Sequence, residues 1–366
     1  MAEGGSYEDS GTYDFEEYRI VALGKNGSGK SATGNSFLGI WTFLSICSAN
    51  SVTENCQFDS AIRFGKRIVY IDTPGFFDIE KPNEIIQKEI IKCIALSSPG
   101  PHAFLLIIKV DRFTPEEKAT IDLCGKIFGD EFYKYLIVVF THKNMMDKSG
   151  KSLQQFISEA PSDLQNVLRR KNNICTAIEN GASSEEVEVQ MKELFDLITF
   201  VVGMKGGKQF TNTTYANIEE GLLKEEDKER KSHTKMLTKT IQDSNKSMER
   251  IRKDVGEEEE LLQALVCSLS NNTESSSTEE AQSVEAKINQ LDKENEMLRN
   301  EIRMMKEEIR RIEKESKERP QNPGSFRDKI RKMIQSEEGQ LVVNFLKEHG
   351  LTILKWGIIA FKVYMK

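Results

Sequence analysis

Eight residues near the start of the chain have the types and the spacing needed to hold phosphate. Residues 24–31 read GKNGSGKS, which fits the pattern G-x-x-x-x-G-K-[ST]. Glycines let successive backbone N–H groups turn toward an anion, the Lys30 ammonium can reach the β- and γ-phosphates, and the Ser31 hydroxyl can bind Mg²⁺. The alternative is a glycine-rich turn that contains a lysine by chance. Placement directly after an apolar run favours phosphate binding.

A second motif, DTPG at residues 72–75, also follows an apolar run. After a phosphate loop, an Asp here can hold a Mg²⁺-bound water, and a glycine backbone can sense the γ-phosphate. We predict these roles for Asp72 and Gly75. Thr53 lies between the two motifs, where a GTPase places a threonine on Mg²⁺. From its position alone, Thr53 could be this Mg²⁺ ligand or a threonine that does not bind the metal.

The elements that must position these residues are short apolar runs. Such runs, rich in β-branched residues, occupy 18–24, 67–73, 103–110, 135–141 and 173–178. Near-continuous apolar character is typical of parallel strands buried on both faces. Helical patterns lie between most of them, and one is expected to begin with Thr114 as N-cap before Pro115. The alternation predicts an α/β domain with a doubly wound, mostly parallel sheet.

Five stretches together carry a family resemblance. The chain resembles the immunity-associated nucleotide-binding GTPases, also called IAN or GIMAP, in GKNGSGKSATGNSFLG, SANSVTENCQ, VYIDTPGFFD, SSPGPHAFLLIIKVDRFTPEEK and FTNTTY. These GTPases are relatives of the septin and chloroplast Toc GTPases. The resemblance covers about residues 18–215 and implies a Ras-like P-loop GTPase domain. It also implies GTP and GDP as ligands with Mg²⁺, and nucleotide-dependent self-association of G domains on intracellular membranes.

The resemblance is carried over residue by residue. It assigns the phosphate loop to Gly24, Gly27, Gly29, Lys30 and Ser31, and it supports Thr53 as a Mg²⁺ ligand. The predicted metal ligands are Ser31, Thr53 and Asp72, and no catalytic residue is assigned. The full set of predicted nucleotide-binding residues is Gly24, Lys25, Asn26, Gly27, Ser28, Gly29, Lys30, Ser31, Ala32, Thr53, Asp72, Gly75, His142, Lys143 and Asn180.

The base-recognition motif departs from the family pattern. The family reads T-H-K-x-D where this chain reads THKNM, so His142 and Lys143 match but Met145 takes the Asp position. Met cannot accept the two hydrogen bonds that the guanine edge offers, each worth about 1.5–3 kcal/mol to a charged acceptor. Either Asp147 serves from a rearranged loop, or guanine selectivity is weakened or lost.

Two further residues near the expected site each have two interpretations. Asn180, in ENGA, is predicted to contact the base or ribose, and the alternative is an ordinary Asn-Gly turn. His102 could be a base, but a histidine beside a buried strand is interpreted as structural. A glutamine that positions water is absent from FFDIEK after Gly75, so slow intrinsic GTP hydrolysis is predicted.

The second half of the chain is highly charged and has a heptad pattern. The positions that step by four and three alternately are Val284, Ile288, Leu291, Asn295, Leu298, Ile302, Met305, Ile309 and Ile312, and an earlier set is Leu237, Ile241, Met248, Ile251 and Val255. Ile and a lone Asn at a, with Leu and Met at d, favour a parallel two-stranded coiled coil. The charge pairs Lys287–Asp292, Glu294–Arg299 and Glu301–Lys306 agree with that pairing, whereas Glu308–Glu313 opposes it. The alternatives are a single solvated helix and the two segments folding back on one another.

The last sixteen residues, LTILKWGIIAFKVYMK, combine a lysine stripe with a broad apolar face. The apolar run is shorter than the roughly twenty residues of a bilayer span. Lys355, Lys362 and Lys366 would share one face of a helix. This pattern predicts a helix that lies in a membrane interface, and the alternative is a helix docked on the G domain or on a partner.

These observations define a provisional organisation. We predict a disordered tail at 1–17, a GIMAP-type G domain at 18–215, a helical or coiled-coil region at 216–319, and a linker with an amphipathic helix at 320–366. A net charge of −7 gives no reason to expect nucleic-acid binding. The chain begins without an apolar run, and its six cysteines form no CxxC pair, which favours a reduced cytoplasmic protein. The resemblance and the amphipathic C-terminal stretch add the expectation that it is peripheral on endomembranes. Two function classes remain open: a nucleotide-switched scaffold and a static nucleotide-bound adaptor.

Overall fold

The computed structural model describes residues 15–46, 53–75, 82–170, 174–271, 278–317 and 323–336. Its strands are β1 Glu17–Leu23, β2 Gln57–Arg63, β3 Lys66–Asp72, β4 Ala103–Lys109, β5 Leu136–Thr141 and β6 Cys175–Ala177. Its helices are α1 Lys30–Leu38, α2 Asn83–Leu96, α3 Pro115–Phe128, α4 Lys143–Lys148, α5 Leu153–Ser158, α6 Ser162–Arg169, α7 Ser184–Gly203, α8 Thr213–Asn271, α9 Thr278–Lys317 and α10 Pro323–Gln335, with a 3₁₀ helix at Asp130–Tyr135.

The six strands form one twisted sheet in the order β2-β3-β1-β4-β5-β6. All neighbouring strands are parallel except β2, which runs antiparallel to β3 at the edge. The side chains of the central strands alternate between two buried clusters. One lies under α2 and α3, and the other lies under α1 and α7. The predicted doubly wound α/β fold is therefore confirmed.

The sequence prediction found five of the six strands and missed β2. Its residues, QFDSAIR, are mostly half-exposed, because β2 is an edge strand with one neighbour. An edge strand does not need the continuous apolar run that identified the others. The predicted N-cap of α3 is confirmed, since the Thr114 hydroxyl accepts from the Glu117 N–H and the two residues form a capping box.

Helix α10 adds a feature that the sequence analysis did not predict. It lies in the region expected to be a linker, yet Ile330 and Ile334 belong to the core cluster of the α/β unit. Arg331 is only 2% exposed, donates to the Leu96 carbonyl oxygen at 3.0 Å, and binds the Glu17 carboxylate at 2.8 and 3.1 Å. Glu17, expected in the tail, is instead the first residue of β1.

Glu17 is the centre of a network of charged side chains. Its carboxylate also accepts from Arg19 at 2.9 Å and from Arg67 at 2.7 Å. Burial by itself would raise the pKa of Glu17, but hydrogen bonds and charge from Arg331, together with Arg19, lower that pKa to about 2. The carboxylate is therefore ionised at every physiological pH, and it compensates guanidinium groups that the fold has removed from water.

The described residues form two compact units. One comprises residues up to 223 together with those from 324 onward, and the other comprises residues 224–323. In the second unit, α8 and α9 are joined by six residues, and Glu259 on α8 forms an ion pair with Arg299 on α9. The two helices therefore fold back on one another within one chain, which is one of the alternatives left open by the heptad pattern.

The predicted heptad positions on both helices are buried or half-buried wherever the structure describes their side chains. On α9 the buried or half-buried positions, here called the α9 seam, are Ile288, Leu291, Asn295, Leu298, Ile302, Met305 and Ile309. On α8 they include Leu237, Ile241, Met248, Ile251 and Val255. Pairing of two chains through the α9 seam stays a prediction.

Among the helices that the structure describes, none combines the length and the apolar character needed to cross a bilayer. Residues 351–366, predicted to lie in a membrane interface, are outside the described residues. Their membrane contact stays a prediction.

Candidate functional site

The loop between β1 and α1 lies at the carboxyl end of the central strand. Gly24 has φ 151°, and a Cβ there would lie 2.4 Å from the Ile107 carbonyl oxygen, so only glycine fits. Gly29 has φ 97° and is the N-cap of α1, without a side-chain cap bond. The first N–H groups of α1 are therefore left without a side-chain acceptor at the cap, which together with the helix dipole makes this end suitable for an anion.

Lys30 is the first residue of α1 and is only 5% exposed. Its Nζ donates to the carbonyl oxygens of Gly24 at 3.1 Å and Lys25 at 2.9 Å, so the ammonium is held over the loop. The Lys25 side chain lies elsewhere, 3.4 Å from a Glu117 carboxylate oxygen. Only one of the two loop lysines therefore directs its charge into the loop.

Three oxygen-bearing side chains from separate parts of the chain converge beside this ammonium. Ser31 Oγ donates to Asp72 Oδ2 at 2.6 Å and lies 3.0 Å from Thr53 Oγ1. Thr53 Oγ1 is 3.5 Å from the same carboxylate oxygen. The structure thus brings together the three residues predicted as metal ligands, although they are up to 41 positions apart in sequence.

Asp72 is fully buried, and its Oδ1 has no hydrogen-bond partner among the described residues. Burial raises the pKa of this carboxyl, while the charge of Lys30 and the hydrogen bonds from Ser31 and Thr53 act in the opposite direction. Hydroxyl and carboxylate oxygens are the hard donors that Mg²⁺ prefers. An unpartnered carboxylate oxygen next to two hydroxyls therefore fits a Mg²⁺ ion.

Gly75 lies against the same loop. Its N–H donates to Asn26 Oδ1 at 3.0 Å, and a Cβ on Gly75 would lie 2.3 Å from that oxygen. The predicted γ-phosphate sensor is therefore in direct contact with the phosphate loop. Residues 76–81, where no water-positioning glutamine occurs, are outside the described residues.

The predicted base-binding segments meet beside the phosphate loop. Thr141 Oγ1 donates to the Ser28 carbonyl oxygen at 2.7 Å, which joins the end of β5 to the loop. The Lys143 N–H donates to the Ile178 carbonyl oxygen at 3.1 Å, which joins the β5–α4 and β6–α7 connections. His142, between them, has a left-handed backbone at φ 60° and begins α4 as its N-cap.

Asp147 has an ion-pair partner on its own helix in this arrangement. It pairs with Lys143 at 3.5 Å along α4, while Met145 is 44% exposed. Residues two apart on a helix point about 200° away from each other. Asp147 and residue 145 therefore face different directions for as long as α4 stays helical.

The loop after β6 contributes two side chains. Asn180 Nδ2 donates to Thr33 Oγ1 at 3.1 Å and its Oδ1 accepts from Ser36 Oγ at 3.0 Å, so its amide is fastened to α1. Its contact with base or ribose stays a prediction. Glu179 was not singled out from the sequence, and its Oε2 accepts from the Asn144 N–H at 3.2 Å. The sequence feature that could have identified Glu179 is its position next to Asn180.

His102 lies at the amino end of β4, away from the phosphate loop. Its Nδ1 accepts from the Arg19 N–H at 3.0 Å, and its ring stacks on Tyr18 with centroids 5.0 Å apart. Burial, followed by the charge of Arg19, lowers the pKa of His102 to about 3. The structural interpretation of this histidine is confirmed.

The chain is similar in sequence to proteins named as nucleotide-binding proteins and GTPases. Immune-associated nucleotide-binding protein 7 of Arabidopsis thaliana is 33% identical over 243 residues, which cover 65% of this chain and 76% of that protein. Human GTPase IMAP family member 8 is 35% identical over 196 residues, covering 54% of this chain and 29% of that protein. Toc33 of Arabidopsis thaliana, solved with GDP and Mg²⁺, is 19% identical over 54% of this chain and 88% of its own, with a TM-score of 0.41 that is too low to bear on the site.

The AIG1 family model matches residues 18–230, which include all six strands except the first residue of β1, together with the phosphate loop and the oxygen cluster. That is more than half of the chain. The chain therefore belongs to the AIG1 family.

Proposed function

We propose that this protein binds GTP and GDP with Mg²⁺ at the carboxyl edge of its sheet. The observation that carries the proposal is the convergence of Ser31, Thr53 and Asp72 beside the Lys30 ammonium, next to a helix N-terminus. Backbone N–H groups from Gly24 to Ala32 would surround the phosphates, and Lys30 would neutralise part of their charge. Bound Mg²⁺ would supply a further positive charge to the phosphate oxygens.

The finer proposal is a nucleotide-dependent, self-associating switch or scaffold at intracellular membranes, with slow hydrolysis. Its support is the contact of Gly75 and Thr53 with the phosphate loop, since these are the segments that a γ-phosphate would hold. A nucleotide shifts association only if it binds the associated state more tightly. The amphipathic sequence at 351–366 and the family resemblance support the membrane and the self-association.

The alternative is an adaptor that holds nucleotide constantly, with relaxed guanine selectivity. Met145 favours it, because the side chain that should read guanine cannot accept a hydrogen bond from a base edge.

One experiment separates the two functions. Purified chain is loaded with GDP or with a non-hydrolysable GTP analogue, the bound nucleotide is quantified, and the same samples are sedimented. The switch predicts stoichiometric binding and a larger species with the analogue. Binding with identical sedimentation supports the adaptor. Failure to bind any nucleoside di- or triphosphate contradicts both.

For guanine selectivity, we propose Glu179 as the substitute carboxylate. It already contacts the backbone of Asn144, next to the position of the missing Asp. Glu179→Gln is expected to weaken GTP binding about 10- to 100-fold without weakening ATP binding. Hydrogen bonds from the guanine N–H groups to a charged acceptor contribute about 1.5–3 kcal/mol, and this substitution removes the charge. Competition of both nucleotides against a fluorescent GDP measures the ratio.

Asp147→Asn is the matched control. It removes the other nearby carboxylate, which pairs with Lys143, and is expected to leave the GTP-to-ATP ratio unchanged. A loss of selectivity in Asp147→Asn but not in Glu179→Gln would assign base recognition to Asp147 and contradict the proposal. Equal GTP and ATP affinity in the unaltered chain would show that selectivity has been lost.

A further inference from the structure

We propose that the α9 seam exchanges its intrachain partner α8 for the α9 helix of a second copy, which gives a parallel two-stranded coiled coil. The proposal concerns the unit of residues 224–323 and does not depend on nucleotide binding. Three observations carry it: an unsatisfied polar group in the seam, a cleft beside that group, and charges that the hairpin leaves unpaired.

Asn295 is the unsatisfied polar group. It is 3% exposed, and its Oδ1 has no hydrogen-bond partner among the described residues. A buried acceptor without a partner destabilises a fold by about 1–3 kcal/mol. The folded-back arrangement therefore covers Asn295 without satisfying it.

The packing beside Asn295 is also incomplete. A cleft of about 440 Å³ lies between α8 and α9 and is bordered by Asn295, Asp292 and Arg299 on α9. Val266, which lines the cleft from α8, remains about half exposed. This end of the hairpin gains less from burial than a closely packed helix pair would.

A second copy of α9 can supply the hydrogen-bond partner that Asn295 lacks in the hairpin. In a parallel coiled coil in register, each a position faces the same residue of the partner, so Asn295 meets Asn295 of the partner subunit and their amides can bond to each other. A single Asn at an a position selects two parallel strands for this reason. Ile at the other a positions and Leu at d favour the same state.

The charges beside the seam agree with that state. Lys287, Asp292, Glu301 and Lys306 are exposed and form no ion pair within the described parts of α8 and α9. In the parallel pair, Lys287 faces Asp292 and Glu301 faces Lys306 across the two helices. Exposed pairs contribute only about 0.2–1 kcal/mol each, so their main effect is to select the partner and the register.

Both states bury the α9 seam, but the exchange uncovers the apolar positions of α8, so the dimer must offset that loss through the Asn295 pair and closer packing of the α9 seam. The hairpin is favoured at low concentration because its two helices are covalently joined, and the dimer is favoured as concentration rises. Six residues connect α8 to α9, so α8 stays tethered near α9 when the seam changes partner. The exchange therefore replaces the α8–α9 contacts of the hairpin by α9–α9 contacts and leaves the chain connection between the two helices in place.

Site-specific crosslinking of the full chain tests the exchange. In a background with Cys47→Ser and Cys267→Ser, Leu298→Cys places a thiol at a d position, where two copies in parallel register bring their sulfur atoms together. We expect a disulfide-linked dimer under mild oxidation, with a yield that rises with protein concentration. Met297→Cys, one residue away and 69% exposed, is the matched control and is expected to give only background dimer.

Reversing the charges beside the α9 seam provides a second test. Lys287→Glu, Glu294→Lys and Glu301→Lys together place like charges across a parallel pair, so the 298–298 crosslink should be lost. Adding Asp292→Lys, Arg299→Glu and Lys306→Glu restores opposite charges and should restore the crosslink. Helical content by circular dichroism is measured for every variant, and Met305→Cys replaces Leu298→Cys if the latter loses helix.

The result that overturns the proposal is equal crosslinking at 297 and 298, or no crosslinking at either d position in a helical chain. Crosslinking that survives charge reversal unchanged would also overturn it, because the pairing would then not be parallel and in register.

Discussion

Replacing Lys30 by Ala is expected to reduce GTP and GDP affinity by two orders of magnitude or more. The substitution removes the ammonium that the carbonyl oxygens of Gly24 and Lys25 hold over the loop. It also removes the positive charge that acts on buried Asp72. A lost charge-assisted contact costs about 1.5–3 kcal/mol, and a triphosphate offers the ammonium more than one oxygen. Isothermal titration in the presence of Mg²⁺ measures the change.

Lys25→Ala is the matched control for that experiment. Lys25 belongs to the same loop and has the same charge, but its side chain lies near Glu117 rather than over the loop. We expect its nucleotide affinity to stay within a few-fold of the unaltered chain. Equal effects of the two substitutions would mean that only net charge matters, and an unchanged affinity in Lys30→Ala would contradict the proposed site.

The second large effect is expected on stability. Glu17→Gln keeps the size of the side chain but removes the negative charge that faces Arg331, Arg19 and Arg67. Removing one partner of a buried ion pair costs about 3–5 kcal/mol, because the other charges stay buried without compensation. Since Glu17 is partly exposed, we expect the lower end of that range. Native-state hydrogen exchange of the β1 amides reports the free energy of unfolding.

Glu16→Gln is the control, because Glu16 is the preceding residue and pairs with Lys66 at the surface. Its loss should change the free energy of unfolding by less than about 1 kcal/mol. Equal changes in the free energy of unfolding for both substitutions would show that the ion pairs of Glu17 stabilise the fold no more than the surface pair of Glu16 does.

The same network predicts how this stability depends on pH. The pKa of Glu17 is lowered from 4.5 to about 2 in the folded chain. The stabilisation is therefore fully present above about pH 4.5 and is lost as pH falls toward 2, by a total of about 3 kcal/mol. The difference between the unaltered chain and Glu17→Gln should shrink over that interval. A difference that stays constant from pH 5 to pH 2 would contradict the assignment.

Short sequence patterns predicted the features that are determined by residues close to one another in the chain. The phosphate loop followed from glycine and lysine spacing, the parallel strands from continuous apolar runs, and the start of α3 from Thr114 and Pro115. The heptad pattern identified which face of α9 is covered. It could not identify the covering helix, because the same apolar stripe fits α8 of the same chain or α9 of another.

Other features depend on contacts that no local pattern contains. Glu17 and Arg331 are 314 positions apart, and each alone resembles an ordinary surface charge. The role proposed for Glu179 depends on its contact with Asn144, which forms because the sheet order places the β5–α4 and β6–α7 connections side by side. Strand β2 depends on a single neighbour, and its half-exposed residues resemble a loop.

The position of α10 has a consequence for where the protein can be cut. The family match ends at residue 230, but Ile330 and Ile334 belong to the buried cluster under α2 and α3, and Arg331 is itself buried. A fragment that ends at residue 230 would expose the Leu96 carbonyl and the Phe58 ring to water and would leave Glu17 without one of its arginines. We therefore expect the smallest stable piece of the α/β unit to be discontinuous along the chain, with α10 joined to it by a linker or added as a separate peptide.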